Sequence, residues 1–191
     1  MTAMDEPVLT LTEGAARVDL YPGVGGRIGQ ITIGDRRLLR GPEHADVGWP
    51  WWGSYPMLPW VNRIAGGVAH FEGDTITVPV NWPDGTAIHG LACAQPWQIV
   101  STGDRQATLA IEADHDRYHV RSTQQFSLAA DALDLDIELV NLAPWRVPVG
   151  IGIHPWFVAA PVRVPADLIW PGDGPDARGP AASGAPRRGP P

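Results

Sequence analysis

The sequence predicts an all-β protein folded as a sandwich, on three observations. Apolar and polar residues alternate at period two in several short segments, Gly/Pro/Asn/Asp turn residues separate them, and no 12-residue stretch favours a helical period. Side chains two apart share one face of a strand. A chain patterned this way makes sheets with one apolar face, and that face must be buried against a second sheet.

Taken in order, residues 15–40 break at Pro22-Gly23, Gly25-Gly26 and Gly34-Asp35, which predicts a β-meander joined by tight turns. Residues 41–74 are expected to be irregular. Four of the nine tryptophans, Trp49, Trp51, Trp52 and Trp60, fall there within twelve residues. Such rings either cap one end of the sandwich or form a binding floor, because the apolar faces of pyranose rings pack on indole and the indole N–H bonds a hydroxyl. Further strands are expected at 75–80, 96–101, 107–113, 118–128 and 133–140, the last alternating Leu/Ile with Asp/Glu.

Composition narrows the function classes. A length of 191 residues with 44% hydrophobic residues suits one domain with a real core. Glycine and proline together make up 42 residues, and 11 of them crowd into the last 21 positions, so residues 1–170 are expected to form the domain and 171–191 a disordered Gly/Pro-rich tail. The formal net charge is −7, with 14 Arg and no Lys, which leaves no basic excess to neutralise a phosphate backbone. Nucleic acid is therefore not expected as a partner. No apolar run reaches membrane-spanning length, and the N-terminal MTAMDEPVLTLTEG lacks the basic and apolar regions of a secretion signal; the expectation is a cytoplasmic protein with no membrane partner. The lone Cys93 has neither a disulfide mate nor a Cys/His grouping for zinc, and reads as a small core residue.

Several motifs fail on inspection. Gly23-Val24-Gly25-Gly26-Arg27-Ile28 nearly spells a dinucleotide fingerprint, but Ile28 occupies the third glycine position and the flanks are strand-turn-strand. His115 and His119 have ligand spacing only on a helix, whereas Asp114-His115-Asp116 reads as a hairpin turn, so no metal site is expected. No Gly-x-Ser-x-Gly elbow occurs. His89 in Ile88-His89-Gly90-Leu91 and His154 in Ile153-His154-Pro155-Trp156-Phe157 are different: each is a single polar group in an apolar, glycine- or proline-flanked frame. With Asn62-Arg63 they make a set of donors and acceptors suited to a polyol pocket.

These residues resemble the aldose 1-epimerase, or galactose mutarotase, family. The resemblance rests on Pro59-Trp60-Val61-Asn62-Arg63-Ile64 with Phe71-Glu72-Gly73 after it, on Ile88-His89-Gly90-Leu91 followed by Trp97, and on Asn141 leading to Gly152-Ile153-His154-Pro155-Trp156-Phe157. It implies a β-supersandwich and interconversion of the α and β anomers of free aldohexoses such as glucose and galactose, with a small-molecule sugar as partner and no cofactor. Carried over, Arg63 and His89 hold sugar hydroxyls, Asn62 supports their loop, and His154 is the general acid at the ring oxygen. Trp60 and Trp156 are the candidate rings for sugar stacking.

The resemblance also implies a longer chain, with a glutamate general base near its C-terminal end and a sugar-binding aspartate in its later half. Here the last glutamate is Glu138, before His154, and the later acids Asp167, Asp173 and Asp176 lack a matching context. The expectation is a sandwich incomplete at its C-terminal side, truncated or out of frame beyond about residue 170. An acid without its base retains little anomerase activity, since general-base catalysis contributes about 10²–10⁴-fold. Uncovered sheet edges favour self-association. Two other readings stand beside this one: a carbohydrate-binding β-sandwich without chemistry, and a sugar-phosphate mutarotase, which needs more basic residues at the rim than Arg63 and Arg146 supply.

Overall fold

The computed structural model describes residues 8–159. Its strands are β1 (Leu9–Glu13), β2 (Ala16–Tyr21), β3 (Arg27–Ile33), β4 (Arg36–Arg37), β5 (Ser54–Met57), β6 (Arg63–Ala65), β7 (Val68–Phe71), β8 (Asp74–Thr77), β9 (Thr86–Ile88), β10 (Gln98–Thr102), β11 (Gln106–His115), β12 (Tyr118–Leu128), β13 (Leu133–Asn141) and β14 (Gly152–Pro155). Two 3-10 turns, Pro42–Val47 and Trp49–Trp51, are the helical elements among the described residues. None of these is long and apolar enough to cross a membrane.

One sheet runs β1-β2-β3-β5-β14, with β4 beside β3, and a second runs β10-β11-β12-β13. The antiparallel pair β6-β9 and the hairpin β7-β8 complete the pairing. Period-two burial is clearest on β12, where Tyr118, Val120, Ser122, Gln124, Phe126 and Leu128 all point inward. Leu11, Val18 and Leu20 of the first sheet meet Leu109, Ile111 and Phe126 of the second in one apolar core, so the two sheets form a sandwich as the alternation predicts. The two polar side chains on the buried face of β12 are satisfied: Ser122 donates to the Glu138 carbonyl and Gln124 to that of Gly26. Cys93 is buried, as read from sequence.

Residues 41–74 correct the sequence reading. That stretch holds β5, β6, β7 and the first residue of β8, and β5 is a central strand between β3 and β14. The strands were illegible because each is only three or four residues long and the breaks at Gly53, Gly66 and Gly67, all at positive φ, erase any run of alternation. The 114–116 turn is displaced by one residue: His115 still pairs with Tyr118, and Asp116 takes the left-handed conformation. The domain end at 170 and the 171–191 tail lie outside the described residues.

Candidate functional site

The β5-β14 pair builds one wall. Its antiparallel register sets His154 opposite Tyr55, and their rings stack at 5.0 Å with 13° between planes. Trp156, two residues further on the same face, packs on His154 at 5.5 Å and 28°. The Tyr55 hydroxyl and the Trp156 indole N–H both donate to the Pro50 carbonyl, at 3.3 and 2.7 Å. One backbone oxygen thus orients the two rings on either side of His154 in this ladder.

The opposite wall comes from β6, β9 and the residues flanking them. His89 sits at φ +61° and Asn62 at φ +57°, strained positions for non-glycine residues. The His89 N–H donates to the Asn62 carbonyl at 3.0 Å, and Leu91 N–H to Leu58 at 2.9 Å, which locks the two strained turns together. Gly90 is obligatory here: it has φ +85°, and a Cβ would stand 1.9 Å from the Leu58 carbonyl oxygen. Arg63 is held by Asp84 at 3.1 Å and by the Asn62 side-chain oxygen at 3.3 Å. Asp84 in turn accepts from the hydroxyl and N–H of Thr86, which hold its carboxyl below the usual range together with Arg63.

Between the walls lies a half-open cleft of about 290 Å³, lined by Pro50, Trp51, Tyr55, Asn62, Arg63, Trp82, Ile88, His89, His154 and Trp156. The volume is at the small end of ligand sites, about 300–1,000 Å³. His89 and His154 meet edge to face at 5.1 Å. Burial, then His154, then Arg63 lower the His89 pKa to about 4, and burial lowers that of His154 against the opposing effect of its own carbonyl. Both imidazoles are therefore neutral at pH 7, each able to donate and accept. A larger hollow of about 530 Å³ at Gly103–Gln106 and Ser127–Leu128 brings together no aromatic ring and no histidine.

Of the sequence-derived site residues, Asn62, Arg63, His89, His154 and Trp156 meet in this cleft, and Trp60 does not. Trp60 is turned into a second apolar cluster with Ile76, Val78 and Tyr118, and its indole N–H is spent on the Ala87 carbonyl at 3.3 Å. Its stacking assignment is withdrawn on that geometry. Sequence reasoning missed Tyr55, Trp82 and the separate role of Trp51. In Trp51-Trp52 the second ring is buried and the first lines the cleft, packing on Trp156 at 5.5 Å and Trp82 at 6.0 Å. No Asp or Glu lines the cleft among the described residues, and no group of three potential ligands that could hold a metal occurs among them. His119 is a surface residue paired with Glu112 at 2.7 Å.

A two-sheet sandwich with this connectivity has the galactose mutarotase-like fold. A candidate aldose 1-epimerase from Escherichia coli K12 superposes with a TM-score of 0.83 at 26% identity, over 95% of this chain and 63% of that one. A galactose mutarotase-like protein from Clostridium acetobutylicum superposes with a TM-score of 0.71 at 18% identity, over 82% and 52% of the two chains. The chain belongs to the aldose 1-epimerase family, whose model matches residues 7–168. It is 30% identical over 168 residues to the uncharacterized protein YphB of Escherichia coli K12, covering 85% of this chain and 57% of YphB. The chain thus spans 52% to 63% of the length of these relatives.

Proposed function

We propose that the cleft binds a free aldohexose and that His154 is the acid group of an aldose 1-epimerase site. Ring opening passes the C1-hydroxyl proton to a general base, the role the family resemblance gives to a glutamate, as the C1 carbonyl forms, the C1–ring-oxygen bond breaks and His154 supplies a proton to that oxygen; rotation about C1–C2 and reclosure with the proton transfers reversed give the other anomer. The observation that carries this reading is the convergence of His89, His154, Arg63 and Asn62 with Trp51, Trp82 and Trp156 around one small cleft. Arg63 already carries Asp84 and Asn62, so the cleft offers a partly satisfied donor to hydroxyls rather than a free cation to a phosphate. This favours a neutral sugar over a sugar phosphate.

Burial holds His154 on the neutral side, and an anion beside it would favour the imidazolium. The family resemblance assigns the general base to a glutamate, and among the described residues no carboxylate lines the cleft. This specific observation supports a second reading, in which the chain binds the sugar without accelerating anomer exchange. Exchange spectroscopy on equilibrated D-glucose and D-galactose separates the two. Exchange that exceeds the spontaneous rate and is lost in His154→Ala supports the epimerase; saturable binding with spontaneous exchange supports the binding module.

A further inference from the structure

The Gly25-Gly26-Arg27 run, rejected above as a nucleotide motif, has a different use. Arg27 opens β3 and is wholly buried, with 0% of its surface exposed. All four of its hydrogen bonds go to backbone carbonyls: Val24 at 2.7 Å, Trp49 at 2.6 Å, Trp52 at 2.9 Å and Cys93 at 3.3 Å. Its guanidinium lies 4.4 Å from the centroid of Trp52 and 5.1 Å from that of Tyr55. The approach depends on Gly25, at φ +78°, where a Cβ would come within 2.0 Å of the Cys93 oxygen.

The acceptors are informative. Trp49 and Trp52 flank Pro50-Trp51, the loop that lines the cleft, and Cys93 follows His89 by four residues in the segment that carries it. The carbonyl of Pro50, held between the two tethered residues, is the acceptor that orients Tyr55 and Trp156. Those two rings are the stacking partners of His154. A continuous line of contacts therefore runs from Arg27 through the Trp49–Trp52 loop and Tyr55 to the imidazole.

We infer that Arg27 is a positioning residue for the cleft: touching no ligand, its guanidinium clamps the Trp51 loop to the segment behind His89 and so fixes the rings that hold His154. The chemistry requires arginine. A guanidinium presents five donors in a planar fork that reaches carbonyls on three segments at once, whereas an ammonium is a compact point donor and a neutral isostere leaves the carbonyls unpaired. Carbonyl dipoles and two aromatic faces replace water around the charge. Burial lowers the Arg27 pKa only to about 10, so the clamp stays charged at neutral pH.

The inference rests on the sugar-binding reading for its functional consequence and on ring geometry for itself, so two readouts are needed on the full chain. We would compare wild type with Arg27→Met, Arg27→Lys and Gln124→Leu, each held below its own melting temperature. Gln124 is the control because it is buried and bonded to the adjacent Gly26 carbonyl but reaches neither the loop nor Cys93. NMR would follow the His154 ring protons and the Trp156 indole N–H, and titration would follow D-galactose. Expected are displaced His154 and Trp156 signals with at least about tenfold weaker binding in Arg27→Met, partial recovery in Arg27→Lys, and wild-type values in Gln124→Leu, since an immobilised geometry lost by about 1.4 kcal/mol is tenfold in affinity. If Arg27→Met fails to fold, Arg27→Lys decides by the same signals. Unmoved His154 and Trp156 signals in the folded Arg27 variants would overturn the inference; failure of wild type to bind any aldose would overturn only the proposed function, leaving the ring signals to decide on Arg27.

Discussion

Tyr55 and His154 face each other across the β5-β14 pair with their rings nearly parallel, 5.0 Å apart. Strand register, rather than a loop, sets the orientation of the candidate acid, and neither strand can slip by one residue without turning its own ring to the other face. Replacing Tyr55 by Leu keeps the strand apolar and removes the stack. We expect the His154 imidazole to become better hydrated, its pKa to rise toward the ordinary histidine value, and sugar affinity to fall by about tenfold, the order of one lost aromatic contact. A histidine-resolved NMR titration would check the first two, and an unchanged His154 titration would contradict them.

Acid should destabilise the fold through the cleft. His89 titrates near 4 when folded against 6.5 for the free group, so the unfolded chain binds more protons between those values and stability rises with pH across that window. His154, shifted in the same direction, adds to the slope. Urea midpoints measured from pH 4 to 7 in wild type and His89→Gln would show it: the variant should have the shallower dependence, and parallel curves would count against the assignment.

Trp60 and Trp156 should separate cleanly. Trp60→Phe removes a buried hydrogen bond to Ala87 and should cost about 1–2 kcal/mol of stability, with sugar affinity within about twofold of wild type. Trp156→Ala removes a ring from the cleft itself and should weaken sugar binding by about tenfold or more. Denaturant melts and calorimetric titrations of both variants would reveal whether the roles are reversed.

Gly90→Ala tests the locked turn beside His89. With φ +85° and a Cβ 1.9 Å from Leu58 oxygen, the turn must open, at a cost of about 2–4 kcal/mol for strain and overpacking together. The melting temperature should fall well below that of Gly85→Ala, whose Cβ meets nothing within 4 Å although its φ is +82°. Equal losses would mean that backbone conformation alone, without the Leu58 contact, sets the cost.

Self-association is a further expectation. Among the described residues β13 pairs on one side alone, and Val140 on it is 41% exposed, as are Ile151 and Ile153 at 46% and 49% beside and within β14. Sedimentation velocity over a range of concentrations should show reversible association that Val140→Lys diminishes; a concentration-independent monomer would remove this expectation.

The sandwich was legible because β11, β12 and β13 are nine to eleven residues long and carry an unbroken period of two. The short strands β5 and β6 were not, although they carry Tyr55 and Arg63, because three or four residues give no period to read. His89 and His154 stood out as lone polar groups in apolar frames, a signal that survives without knowing the strands. Tyr55 and Arg27 did not: Tyr55 lies in the stretch that reads as irregular, and the cation of Arg27 is balanced by carbonyls from residues as far as Cys93, which leaves no mark in the adjacent sequence. Trp60 and Trp51 could not be told apart, since which ring faces inward depends on the path of the chain between them.

The most direct measurement is titration of the folded full chain with D-galactose and D-glucose by calorimetry, repeated with Arg63→Ala and His89→Ala. We expect one saturable site whose affinity falls at least about tenfold in each variant, as for loss of a hydrogen bond to a polar ligand in a desolvated site. No saturable binding by wild type, or binding that both variants retain in full, would contradict the assignment of this cleft to a sugar.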